Sequence, residues 1–195
     1  MNDSKEKLVQ FFRQTNLVGT EKAEEFADHF HGKSVAKNDF FLKEGRISDE
    51  YLFLEKGCMR SFAYDTEGND ITTNFSTDNQ VVFEVSSFFN RTASKENIQA
   101  LTECNGWFIT YRELNNLFHA TPEFREFGRF ILVRGFSSLK TRMLSMITES
   151  AEQRYVNLLS SHPEIFAHAP LKNIATFLGI TDTSLSRIRR DFSKK

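Results

Sequence analysis

The chain has 195 residues, 39% of them hydrophobic and 21 of them Phe, with a formal net charge of −1. That length allows one large domain or two small ones with an ample core, and the Phe content points to a packed aromatic interior. Two isolated cysteines, Cys58 and Cys104, exclude a thiolate cluster for iron–sulfur or zinc and are read as reduced and buried. The longest aliphatic–aromatic run, Phe130–Val133, is far short of a bilayer span, and MNDSKEKL is polar with no apolar stretch behind it. A soluble, cytoplasmic chain with no membrane partner is therefore expected.

In chain order, Lys5–Gln14 and Thr20–Phe30 read as short helices, with Leu8, Phe11 and Phe12, then Ala23, Phe26, Ala27 and Phe30, on their apolar faces. From Gly32 to about Tyr111 the character changes to short β-rich segments punctuated by turn residues. Phe40–Leu42, Tyr51–Leu54, Met59–Tyr64, Ile71–Phe75, Gln80–Phe83, Ile98–Leu101 and Trp107–Thr110 are the strand candidates, and Thr66-Glu67-Gly68-Asn69 is a hairpin turn. Strands at such intervals indicate a sandwich or barrel. Arg112–Leu117 reads as a short helix, and Thr121-Pro122-Glu123 as the start of a long one running to about Thr148. Within it Leu132, Phe136, Leu139, Met143 and Met146 repeat at alternating steps of four and three, which is a heptad seam. A second apolar set, Phe124, Phe127, Phe130, Ile131 and Val133, is expected to face the β-rich part. A helix apolar on two sides needs two partners, and a second copy of the chain is the one proposed for the seam. Ser150–Ser160 reads as another helix, and His162-Pro163 to Ala169-Pro170 as a loop.

The last stretch, Leu171 to Arg190, reads as two short helices broken by Gly179, with Ile174, Ala175 and Leu178 on one inner face and Leu185 and Ile188 on the other. Thr181 is placed to cap the second helix, and Asp182 puts a negative charge at its positive end. The spacing Ala175-x3-Gly179-x5-Leu185 is that of a helix-turn-helix. Thr183, Ser186, Arg187 and Arg190 are left outward as a polar, basic stripe. Residues 171–195 hold six basic side chains (Lys172, Arg187, Arg189, Arg190, Lys194, Lys195) against Asp182 and Asp191, a net +4. With the whole chain at −1, residues 1–170 carry −5. Positive charge gathered at one end of an acidic chain suits a phosphate backbone, so double-stranded DNA is the expected partner. Thr181, Thr183, Ser184, Ser186, Arg187, Arg189, Arg190 and Lys194 are the candidate contacts. Arg187 is the first choice for a base contact.

The order β-roll, seam helix, helix-turn-helix resembles the cyclic-AMP receptor protein/fumarate–nitrate regulator (Crp/Fnr) family of bacterial transcription factors. The resemblance covers nearly the whole chain and is most specific at GITDTSLSRIRR and at Phe53-Leu54-Glu55-Lys56-Gly57. It implies an α+β fold: a cyclic-nucleotide-binding-like β-roll or jelly roll over residues 1–120, a dimerisation helix over 121–148, and a DNA-binding helix-turn-helix over 149–195. It further implies a homodimer, a palindromic operator, a small-molecule effector and RNA polymerase as a partner. Family members usually continue into a β-wing after the recognition helix. Here only Asp191–Lys195 follows, so a wingless reader is expected.

The family's phosphate cassette holds a glycine and a glutamate before a short helix, then another glycine, an arginine and a small hydroxyl residue. Laid on it without gaps, this chain matches only at Glu84. The glycines become Phe83 and Ser86, the arginine Ser94 and the hydroxyl residue Lys95, while Arg91 and Thr92 lie three residues early. Phenylalanine in place of glycine blocks the close backbone approach that a phosphate needs. The expectation is a degenerate pocket, no cofactor, weak or absent cAMP binding, and either a different effector or a pocket filled by Phe83, Phe88 and Phe89. No enzyme is expected. His29-x-His31 lacks the following glutamate of a metal-binding barrel, and no nucleophile–base pair stands out. The alternative reading is a small-molecule-binding or protein-interaction module whose helix-turn-helix has decayed.

Overall fold

The computed structural model describes residues 5–14 and 17–192. Helices α1 (Glu6–Arg13) and α2 (Thr20–Asp28) come first, burying Leu8 and Phe12, then Ala23, Phe26 and Ala27. The strands β1 (His31–Val35), β2 (Phe40–Leu42), β3 (Glu50–Lys56), β4 (Met59–Tyr64), β5 (Asp70–Ser76) and β6 (Gln80–Val82) follow. After helix α3 (Val85–Asn90) come β7 (Asn97–Ala100) and β8 (Cys104–Thr110). They form two antiparallel four-stranded sheets, in the orders β1-β8-β3-β6 and β2-β7-β4-β5. Leu52, Leu54, Met59, Val82, Ile98 and Ala100, drawn from both sheets, pack into one core.

Strand β3 explains why its sequence is apolar without alternation. Leu52 and Leu54 join that core, whereas Tyr51 and Phe53 join a second, aromatic one, so both faces are covered. Two glycines are required here. A Cβ on Gly106 would lie 2.1 Å from the Phe53 carbonyl oxygen, where β8 crosses β3 at a register shift. Gly57 turns the chain from β3 into β4 at φ +128°. The β4–β5 hairpin is closed by Asp65, whose carboxylate accepts from the backbone N–H groups of Glu67 and Asn69, both at 2.9 Å, with Gly68 at φ +82°.

Helix α4 (Tyr111–Ala120) starts at a reciprocal cap between Thr110 and Glu113. Helix α5 (Pro122–Thr148) starts with proline in its first turn. Its first half carries Phe124 and Phe127 into the aromatic core, where they meet Phe12 and Phe26 at ring-centroid separations of 5.0–6.2 Å. This cluster accounts for much of the chain's phenylalanine. Helix α6 (Ala151–Ser161), capped by Ser150 and Gln153, leads to α7 (Pro163–His168), α8 (Leu171–Phe177) and α9 (Asp182–Phe192). These four helices share a third core with Phe75 of β5.

Several expectations need correction. Residues 163–168 are helix rather than loop: Pro163 occupies a first-turn position and Ile165 is buried, so the flanking prolines mark helix ends. Strand β1 was not among the candidates because HGKSV, an edge strand, buries only Val35. Helix α3 buries only Ser87 and Phe88, too few residues to set a period in the sequence, although the cassette pattern contains a short helix. Val133, expected against the β-rich part, is 55% exposed, since the inward stripe of α5 ends at Ile131. Among the described residues no helix is long and apolar enough to cross a membrane.

Candidate functional site

The α8–α9 pair is organised from its turn. Ile174, Ala175 and Leu178 of the first helix bury against Leu185 and Ile188 of the second. Gly179 takes φ +67° between them, and the Ile180 N–H donates to the Ala175 carbonyl at 3.0 Å. The Thr181 hydroxyl accepts from the Ser184 N–H at 3.3 Å and lies 3.0 Å from the Ser184 hydroxyl, so Thr181 and Ser184 both serve the cap. Thr183, Ser186, Arg187, Arg189 and Arg190 are exposed on α9. Hydrogen bonds from the backbone at the start of α6 and from Ser150 hold the Glu152 carboxyl below its ordinary range, and nearby Arg187 adds to the effect. Lys194 lies outside the described residues.

On α5, Leu132, Phe136, Leu139 and Met143 are 42–69% exposed, and Val133, Leu144 and Ile147 widen the same apolar surface. Met146 is less open. A Cβ on Gly179 would stand 2.4 Å from its methyl carbon, so Met146 packs on the α8–α9 turn of its own chain.

The cassette segment is satisfied from within. The Glu84 carboxylate accepts from the Ser86 and Ser87 N–H groups at 3.0 and 2.6 Å and caps α3. Arg91, in the left-handed region at φ +57°, donates to the Ser48 carbonyl and to Asp49 and stacks 4.2 Å over Tyr111. The Thr92 carbonyl accepts from the Ser87 hydroxyl. The Ser94 hydroxyl is buried and turned onto its own backbone at Glu96, and Lys95 points to solvent. Phe83 packs against Tyr51 and Phe88 and helps line a void of ≈ 20 Å³, large enough for about one water. Ser86 is exposed at the start of α3.

Two arginines had no place in the sequence reading. Arg142, half-buried on α5, donates to the Thr73 carbonyl of β5 at 2.6 Å and to the Phe177 carbonyl of α8 at 3.1 Å, and its guanidinium lies 4.1 Å over the Phe177 ring. Burial pulls its pKa down from the ordinary value, while nearby Glu96 pulls it back up. Arg154 on α6 donates to the Leu178 carbonyl at 3.1 and 3.0 Å and to the Glu149 carbonyl at 2.6 Å. Thr176 adds a third tie: its hydroxyl accepts from the Thr72 N–H at 3.2 Å and lies 3.1 Å from the Thr72 hydroxyl. Apart from Glu149, five residues before Arg154, the partners lie 24 to 104 residues apart, so no local spacing announces them.

Residues 32–121 match the family described as Cyclic nucleotide-binding domain. Comparison with curated proteins found no match. Solved structures do resemble the chain. CLP of Xanthomonas campestris, described as a c-di-GMP responsive global regulator, is 16% identical with a TM-score of 0.68, covering 88% of this chain and 90% of its own. FixK2 of Bradyrhizobium japonicum is 14% identical with a TM-score of 0.73, covering 85% of each chain. A Crp/Fnr-family transcriptional regulator from Eubacterium rectale is 17% identical with a TM-score of 0.72, covering 94% of this chain and 88% of its own. Residues 32–121 thus match the cyclic nucleotide-binding domain family, and the chain shares its fold with these structures, one of them a Crp/Fnr-family regulator.

Proposed function

We propose that this chain is a sequence-specific DNA-binding transcriptional regulator of the Crp/Fnr type. It acts as a homodimer joined along α5 and responds to a small molecule other than cAMP. The observation that carries the reading is the exposed stripe Thr183, Ser186, Arg187 and Arg190 on α9, in a chain whose fold such regulators share. A stripe of hydroxyls and guanidiniums, on a helix whose other face is fixed by Leu185 and Ile188, is the form of a major-groove reader. Arg187 then contacts a base, with Thr183 and Ser186 assisting, and Arg189, Arg190 and Lys194 sit along the phosphates.

The exposed apolar face of α5 supports the dimer. Leu132, Phe136, Leu139 and Met143 keep heptad spacing and lie open to solvent, which a lone chain would leave as an unfavourable patch. A two-fold pair of readers matches a palindromic site. The engaged state of Arg91 and the packing of Phe83 support a departure from cyclic-nucleotide binding, because a buried phosphate needs paired charge and close backbone. Selection of bound fragments from a genomic DNA library by the purified protein tests the reading. A two-fold-symmetric motif is expected, and failure to retain any fragment would favour the decayed-reader alternative.

A further inference from the structure

A cleft of ≈ 390 Å³ opens where β5, the C-terminal half of α5 and helices α6 to α8 meet. That volume is in the usual range for small-ligand pockets of about 300–1,000 Å³. Phe75, Leu158 and Phe177 give it an apolar side, and Arg142 and Arg154 give it two guanidiniums. Glu149 is the one acidic side chain among the described residues that line it. Its carboxylate is already taken up by the Ser145 hydroxyl at 2.6 Å and the Asn157 amide at 3.0 Å.

The two guanidiniums make their hydrogen bonds in this cleft to neutral backbone oxygens. Arg142 holds the Phe177 carbonyl and Arg154 the Leu178 carbonyl, the last oxygens of α8 before Gly179. A carbonyl carries no net charge, whereas a carboxylate or phosphate adds opposite charge and can take two N–H groups at once, so it is the stronger partner for a guanidinium. We infer that this cleft, rather than the cassette in the β-roll, is a binding site for a small organic anion with an apolar body, a carboxylate or a phosphate ester. The anion takes Arg142 and Arg154, and its apolar part lies against Phe75 and Phe177. Occupancy draws both arginines off the end of α8, leaving Thr176–Thr72 and the packing on Phe75 to hold the α8–α9 pair on β5. The binding site stands on its own geometry; its effect on α9 rests on the regulator reading above.

The test uses the full chain with ¹⁵N-labelled arginine, following the side-chain Nε–H signals of Arg142 and Arg154 by NMR. The probes are phenylacetate, phenyl phosphate and uncharged phenylacetamide. At least one anion should shift both signals saturably, the amide should not, and the stronger anion identifies the headgroup. Arg142→Gln should weaken that probe by about tenfold, the worth of one hydrogen bond to a charged group. Thr141→Trp, at an exposed position of the cleft wall, should block the probe without removing either arginine. The site is overturned if neither anion moves the arginines, if the amide binds as well, or if affinity survives both substitutions. Anion binding by a protein that ignores DNA at every salt concentration would keep the site and discard the regulator reading. DNA binding without any response to the probes would do the reverse.

Discussion

Arg187 is exposed on α9, between Leu185 and Ile188, which turn inward on either side. Arg187→Ala should cost about 1–3 kcal/mol on a cognate site and relax the preference at one base pair. Fluorescence anisotropy with single-base variants of the site measures this, and a uniform small loss on all sequences would make Arg187 a phosphate contact. The cysteines give a second expectation. Burial pushes the Cys58 thiol up to about 12, with Cys104 adding to it, and burial also raises Cys104, whose Sγ lies 3.5 Å from the Cys58 carbonyl. Both should resist a disulfide reagent at neutral pH in the folded protein and react quickly in denaturant, as a thiol-labelling time course would record. The residues legible in sequence were those with local grammar, such as Thr181 before Asp182 or Gly179 between two apolar faces. Arg142 and Arg154 were not, because a guanidinium that bonds distant backbone carbonyls leaves no pattern in the letters around it.

Helix α5 shows what periodicity reveals about an element and what it leaves undecided. Its start at Thr121-Pro122 and its heptad were readable, since proline in the first turn and alternating three–four steps have direct physical causes. Where its second apolar stripe ends was not readable. Val133 looks like Ile131 in sequence, yet the β-domain reaches only as far as Ile131, and Val133 joins the outward face. Leu139 lies 63% exposed in the middle of that face. Leu139→Glu should therefore convert a dimer into a monomer while leaving the fold intact, since the side chain touches no intrachain core. Sedimentation velocity reads the result directly, and an unchanged coefficient would place the dimer contact elsewhere. Strand β1 and helix α7 escaped the sequence for a related reason: each buries a single anchoring residue, Val35 or Ile165, too few to set a period.

The whole molecule separates its charges and joins its parts through a few polar ties. Residues 1–170 sum to −5 and residues 171–195 to +4, so the rest of the chain repels the polyanion that its end is proposed to bind. The β-domain and α5 could be anticipated from composition and spacing. The seating of α8 on β5 through Thr176, Phe177 and Arg142 could not, because packing between distant segments follows from shape rather than from local pattern. This seating gives the proposed effector a route to α9, while Leu185 and Ile188 keep the reading helix fixed on α8 throughout. The reading as a DNA-binding dimer is tested most directly by the affinity for a selected duplex across 50–200 mM salt. Each neutralised phosphate contributes a slope of about −0.9, so a dimer engaging about five or more phosphates should give a log–log slope of about −4 or steeper. A flat dependence, or no binding at the lowest salt, would contradict the account.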